Sequence, residues 1–267
     1  MDKLRIGRIH YLNLYPVFYG LERSKGPYEF VDGYPSMLNS MLRRGEIDVS
    51  PSSSIEYLRY PEEYELIKGH SISAKGEIRS IIFLSKCPIE QLKGKRISAT
   101  HQSETSKALL EIIFKKFIKV DVPVHETDLP IEKALASFDA YLSIGDEALR
   151  AGKNGGEFYK YDLGALWHEF TGTSFVFALW IARKDSIKKN EALFERLRED
   201  LGRAKEYATE HLMEIANSRA LIKSGIVDWL TPEELVSYWK IISYGLGEAE
   251  MKGLELFGKY AGDLGLI

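Results

Sequence analysis

The sequence predicts two α/β lobes closing on a central cleft, and three observations support that class. Two sets of alternating strand and helix patterns follow one another, one reaching Arg59 and the other beginning near Gln91. A β-rich run, Phe175–Arg183, then returns, and everything after it reads as helix. Finally, apolar strands run straight into hydroxyl-rich helix starts: Ile47-Asp48-Val49-Ser50-Pro51-Ser52-Ser53-Ser54, Arg96 to Ser106, and Tyr141-Leu142-Ser143-Ile144-Gly145-Asp146. In parallel sheets such corners gather at the carboxyl edge of the strands, where ligands bind. Free N–H groups and the positive dipole end of each helix favour an anion there, most simply a carboxylate.

The elements follow in order. Leu4–Ile9 reads as a strand, and the loop Tyr11-Leu12-Asn13-Leu14 leads to a helix over Pro16–Arg23. Tyr28–Asp32 is a second strand. Pro35–Arg44 is an amphipathic helix with Met37, Leu38, Met41 and Leu42 on one face, stopped by Gly45. Ile47–Ser50 is a third strand, and Ser54–Arg59 a helix. This rhythm predicts a parallel sheet with right-handed crossovers. Strands are expected over Glu65–Ser71 and Ser80–Ser85, the second apolar enough to be buried. Strand Arg96–Ala99 leads to helix Thr105–Phe117, Val122–Glu126 to Ile131–Ser137, and Ala140–Ile144 to a short helix over Asp146–Ala151. Gly152-Lys153-Asn154-Gly155-Gly156 has turn chemistry. Lys184–Lys189 reads as a solvated helix start, Lys188–Lys223 has a 3.6-residue period, and Thr231-Pro232-Glu233-Glu234 is a capping box. The expected division is a first lobe over residues 1–86, a second over 87–176, and a return with C-terminal helices over 177–267.

The chain has 267 residues, long for a single core. Net charge is −3 with no Lys/Arg run, which argues against nucleic acid as a partner. No apolar stretch is long enough for a membrane span, and the start shows no secretory signal. A single Cys87 excludes an internal disulfide and, with the missing signal, points to the cytoplasm. GxGxxG after the first strand, GxxxxGK[ST], HExxH, GxSxG and a Cys pair are all absent, and no two of the six histidines are spaced i, i+4. These absences disfavour a nucleotide cradle, a protein-bound metal and a standard nucleophile triad.

Ser52, Ser53 and Ser54, and Ser103, Thr105 and Ser106, exceed what one helix cap needs and are candidate ligand donors, although each could serve simply as a cap. Asn13 sits in an aromatic-flanked loop beside Tyr11, as a turn residue or a ligand group. Ser80 opens a buried strand at the lobe crossing. Gly145 and Asp146 form the third corner, where Asp146 is a cap or an acid/base group. His101, in a polar loop, has the chemistry of an acid/base group but no visible partner. Trp167, Phe170, Phe175, Phe177 and Trp180 read as core, with one or two walling the cleft.

The segments Gly7-Arg8-Ile9-His10-Tyr11-Leu12-Asn13-Leu14-Tyr15-Pro16 and Gly45-Glu46-Ile47-Asp48-Val49-Ser50-Pro51-Ser52-Ser53-Ser54-Ile55-Glu56-Tyr57 resemble the chorismate dehydratase family of the futalosine route to menaquinone. The resemblance continues through Gly76 to Ser80, Thr105-Ser106, Ile144 to Arg150, Asp162-Leu163-Gly164, Trp167, Thr171-Gly172 and Phe175 to Trp180. It implies a two-lobed type II periplasmic-binding-protein-like fold with mixed sheets. It also implies a cytoplasmic lyase that converts chorismate to 3-[(1-carboxyvinyl)oxy]benzoate and water without metal or cofactor. The family's active-site Asn and Ser fall on Asn13 and Ser80. Glu104 stands where relatives usually carry Arg, and Ser174 where they usually carry Pro; Glu104 is expected to face solvent, away from an anionic ligand. The competing readings are a non-catalytic solute-binding protein of the same architecture and the pathway's sister enzyme, which cleaves a cyclic futalosine derivative.

Overall fold

A computed structural model describes residues 3–153, 156–223 and 226–267. The first half contains β1 (Leu4–Arg8), α1 (Tyr15–Arg23), β2 (Tyr28–Asp32), α2 (Pro35–Arg43), β3 (Val49–Ser53), α3 (Ser54–Arg59) and β4 (Tyr64–Ala74). The second lobe carries β5 (Ile81–Ser85), β6 (Ile97–Thr100), α4 (Glu104–Ile112), β7 (Val124–Thr127), α5 (Ile131–Ser137), β8 (Ala140–Ile144), α6 (Gly145–Lys153) and β9 (Tyr159–Asp162). Then come α7 (Leu163–Thr171), β10 (Phe175–Arg183), α8 (Lys184–Lys189), α9 (Glu191–Glu210), α10 (Leu212–Ala216), α11 (Arg219–Lys223), α12 (Pro232–Lys240) and α13 (Glu248–Asp263).

Two five-stranded mixed sheets result, ordered β2-β1-β3-β10-β4 and β7-β6-β8-β5-β9. The expected parallel cores are present, β2-β1-β3 in one and β7-β6-β8 in the other. Antiparallel partners complete them: β10 against β3 and β4, and β5 against β8 and β9. β5 therefore belongs to the second sheet, and the chain crosses between Ala74 and Ile81 rather than near residue 86. The return crossing, between Asp162 and Phe175, contains α7. A large buried core runs through both lobes, and a smaller one gathers Ile82, Leu84, Leu135 and Tyr141.

Several local readings shift. On α2, Leu38 and Leu42 are fully buried but Met37 is exposed, so the apolar stripe is narrower than its pattern. Gly45 ends that helix with φ +72°. β3 runs on through Pro51 to Ser53, so only Ser54 of the serine cluster lies in helix α3. Helix α4 widens after Ile112 into a π-helical turn that stops at Lys119, φ +62°. Strand β9 and helix α7 were not expected; β9 is a half-exposed Tyr-Lys-Tyr-Asp edge with no apolar alternation. Gly152 and Lys153 of the expected loop close α6, while Asn154 and Gly155 lie outside the described residues, as do Met1 and Asp2. The capping box at Thr231 forms with Glu234.

Asp162 joins the two crossings. Its carboxylate accepts the Ile78 N–H at 3.0 Å and the Arg79 N–H at 2.6 Å from the outgoing segment. On the return it caps α7 through the N–H groups of Gly164 and Ala165, at 2.9 and 3.0 Å. Ser174 is buried where helix α13 crosses it: a Cβ at Gly253 would lie 1.9 Å from its carbonyl oxygen. That oxygen also accepts from the Trp167 indole at 3.2 Å. Both contacts use the backbone carbonyl, which Ser and Pro supply equally. Among the described residues no helix is long and apolar enough to cross a membrane.

Candidate functional site

The sheets present one edge to each other. β1 and β3 end there, as do β6 and β8 of the second lobe; β5 and β10 run the opposite way, so their first residues arrive at the same place. Between these ends lies a cavity of about 50 Å³. That is room for a few waters, since one needs roughly 10–15 Å³, and far below the roughly 300–1,000 Å³ of small-molecule pockets. The lobes are closed.

Of the residues singled out from the sequence, the structure brings Tyr11, Asn13, Ser53, Ser80, Ser103, Ser106 and Gly145 to this cavity. Phe177, one of the five aromatics expected as core, also lines it, together with Pro51, Ile72, Ile81 and Ile144. No carboxylate, imidazole, ammonium or guanidinium is among the lining groups.

Around Asn13 the loop is held through its backbone. The Leu12 N–H donates to Asp146 at 2.9 Å, and the Trp239 indole donates to the Leu12 carbonyl at 2.7 Å. The Tyr244 hydroxyl donates to the Asn13 carbonyl at 2.9 Å. With the main chain thus occupied, the Asn13 amide oxygen is shut from solvent without a hydrogen-bond partner. Buried polar atoms are normally paired, so this oxygen is an acceptor left open on the cavity wall.

Ser80 is 2% exposed, and its carbonyl accepts the Gly145 N–H at 2.8 Å, which pins β5 to the start of α6. Gly145 has φ +67°, and a Cβ there would lie 2.9 Å from the Tyr11 ring, so only glycine fits. The Tyr11 hydroxyl donates to the Gln102 side chain across the cleft. Ser103 caps α4: its hydroxyl oxygen accepts the Ser106 N–H at 3.2 Å, and its own O–H donates to the Ser106 hydroxyl at 2.9 Å.

Four other candidates stand off the wall. Ser52 lies on the opposite face of β3, because successive strand side chains alternate and Pro51 and Ser53 face the cavity. The Ser54 hydroxyl donates to the Val176 carbonyl at 2.7 Å. Thr105 accepts the Ile55 N–H at 3.1 Å, so one helix start is capped by the other across the lobes. Asp146 is likewise spent on Leu12. Thus Ser54, Thr105 and Asp146 have protein partners, two of these contacts joining the lobes.

The remaining titratable candidates are also engaged. His101 pairs with Asp128, and Glu104 turns outward into an ion pair with Arg59. Asp48 binds Arg5 at 2.9 Å; burial opposes its charge, but Arg5 and Ser186 hold its carboxyl below the ordinary range. Burial pushes Glu56 up despite the Tyr64 hydroxyl and Arg43 beside it. The sequence reading missed Gln102, Trp239 and Tyr244. The last two sit in a helical tail whose aromatics carry no local mark of a site.

Burial pushes the Asp146 carboxyl up to about 6, with the Leu12 N–H pulling the other way. An unfolded Asp titrates near 3.9. Between these values the native state binds more protons than the unfolded one, so this group's contribution falls as pH rises from about 4 to 6. Asp146→Asn keeps an acceptor for Leu12 and removes the titration. Relative to wild type, the variant is expected to gain up to roughly 3 kcal/mol between pH 4 and pH 7. Urea unfolding at both pH values checks this; an unchanged difference between the two proteins would refute it.

A family model described as menaquinone biosynthesis matches residues 4–263. The chain is 29% identical to a chorismate dehydratase of Thermus thermophilus, over 96% of this chain and 94% of that protein. It is 24% identical to a 1,4-dihydroxy-6-naphtoate synthase of the same organism, over 93% and 90%. Among solved structures, a protein from Archaeoglobus fulgidus superposes with a TM-score of 0.81 at 20% identity, covering 99% of this chain and 98% of that one. The periplasmic aliphatic sulphonate binding protein of Escherichia coli superposes at 0.66 and 16% identity, covering 100% and 94%. The architecture is therefore that of the periplasmic binding proteins, and with the family match spanning nearly its whole length the chain belongs to the menaquinone biosynthesis family.

Proposed function

We propose that this protein is a chorismate dehydratase, a hydro-lyase converting chorismate to 3-[(1-carboxyvinyl)oxy]benzoate and water. The observation that carries the reading is a narrow interlobe cavity walled by neutral hydroxyls, one unpartnered amide oxygen and apolar side chains, with no acid or base among them. The family and the 29% identical dehydratase support the same substrate.

Chorismate must lose the proton on its ether-bearing ring carbon and the neighbouring hydroxyl. The ring diene and ring carboxylate acidify that proton, so an E1cB-like path is natural. With no base on the wall, the enolpyruvyl carboxylate of the substrate takes the proton, being tethered through the ether to the carbon concerned. The electron pair spreads onto the ring carboxylate, then expels the hydroxide, which takes the proton held by the enolpyruvyl carboxyl and leaves as water. Ser80 and the Asn13 amide NH2 hold the enolpyruvyl group over the ring, the Asn13 amide oxygen accepts from the ring hydroxyl, and Ser53, Ser103 and Ser106 supply donors for carboxylate charge. Fixed neutral donors in a dry cavity stabilise such charge without reorganising. The lobes open to admit the substrate and close to exclude water.

Mixing the protein with chorismate is expected to replace the diene absorbance with that of an aromatic product. Binding without turnover would instead support a solute-binding role. Removing charge at Asp48, Glu56, Asp146 and His101, one at a time, is expected to preserve turnover. If one such variant folds and binds chorismate but is inactive, that residue is the base and the substrate-assisted path fails.

A further inference from the structure

Tyr238 is a large polar side chain that the packing alone does not explain. It lies on α12, is 2% exposed, and its hydroxyl is shut from solvent without a well-formed hydrogen bond. Ser80 lies beside it. The Ser80 hydroxyl has its own hydrogen directed at the Ile78 carbonyl over a long 3.5 Å. The next residue, Trp239, is already committed to the Asn13 loop through Leu12. Helix α12 thus delivers two adjacent aromatics, one to each of the chain segments that carry Asn13 and Ser80.

We propose that Tyr238 is a positioning residue for Ser80: its O–H donates to the Ser80 oxygen and frees the Ser80 hydrogen to point into the cavity. The proposal rests on the reading of Ser80 as a group that touches substrate. A serine hydroxyl has one hydrogen and two acceptor lone pairs. Filling a lone pair from behind leaves the hydrogen for the ligand instead of for Ile78. No proton is transferred from Tyr238. Burial, only partly opposed by Ser80, raises its phenol far above the ordinary range, and the charges of Asp146 and Asp162 raise it further. It remains a donor throughout.

A phenol whose one hydrogen bond goes to a cavity-facing hydroxyl adds little to the stability of the fold while serving the reaction, and this separates the proposal from a structural role. Tyr238→Phe is expected to lower kcat on chorismate by about 10- to 100-fold with KM changed less than threefold. Its melting temperature should stay within about 2 °C of wild type. Ser80→Ala combined with Tyr238→Phe should be no slower than Ser80→Ala alone, because the phenol acts only through that hydroxyl. A Tyr238→Phe kcat within twofold of wild type, or losses that multiply in the double variant, would overturn the proposal. A readout independent of turnover is the Ser80 side chain in high-resolution crystal structures of both proteins. One rotamer within hydrogen-bond distance of Tyr238 is expected in wild type, and a rotamer released or turned fully to Ile78 in Tyr238→Phe. Should wild type fail to consume chorismate, the functional reading falls and the rotamer alone decides: an unchanged Ser80 then overturns the positioning role.

Discussion

Asn13→Ala is expected to lower kcat on chorismate by roughly 100- to 1,000-fold, the range found when a preorganised polar group is removed from a reacting centre. Its melting temperature should move by no more than about 2 °C, because the side chain forfeits no native hydrogen bond. The amide oxygen is unpartnered in the free protein, and the loop is fixed through Leu12 and through the Asn13 carbonyl. Steady-state kinetics with calorimetry of the same preparation checks both halves. Near wild-type kcat would remove Asn13 from the site, and a large fall in melting temperature would make it a structural residue.

Asp162→Ala should show the reverse pattern, with a severe loss of stability. Four backbone N–H groups from both crossings converge on this carboxylate. Without it they lose their acceptor in a buried setting, at about 3–5 kcal/mol in total. For a chain of this size that is a fall of about 10 °C in melting temperature. Asp162→Asn keeps one good acceptor oxygen and should fall roughly half as far. A melting curve for Asp162→Ala that superimposes on wild type would mean that the crossings are held some other way.

The two parallel strand sets were legible because strand and helix alternate locally, and alternation is a nearest-neighbour property of the chain. Membership of β5 was not: its apolar run suits either sheet, and only its pairing with Ala140–Ile144 and Tyr159–Asp162 assigns it. The serine cluster was misplaced by Pro51, which reads as a strand end but sits inside β3. Once the strand continues three residues past Ser50, alternation sends Ser53 to the cavity and Ser52 away. That Asn13 and Ser80 share one cavity was foreshadowed by family resemblance, since on local evidence each passes for a turn or strand-start residue. Trp239 and Tyr244 were illegible for a different reason. Each is an aromatic in a helical tail, and its role depends on a partner at the other end of the chain.

That last separation bears on how the protein is made. Trp239 and Tyr244 reach Leu12 and Asn13 across 227 and 231 residues of sequence. On a ribosome, β1 and its loop emerge first, and the second lobe can fold as a unit while the first still lacks β10. The Asn13 loop gains its last two anchors only when the chain is nearly finished. Contacts this distant in sequence close slowly. A nascent chain halted before α12 would therefore carry Asn13, Ser53 and Ser80 on walls not yet fixed against one another. The cavity is completed late in synthesis, after both sheets have formed.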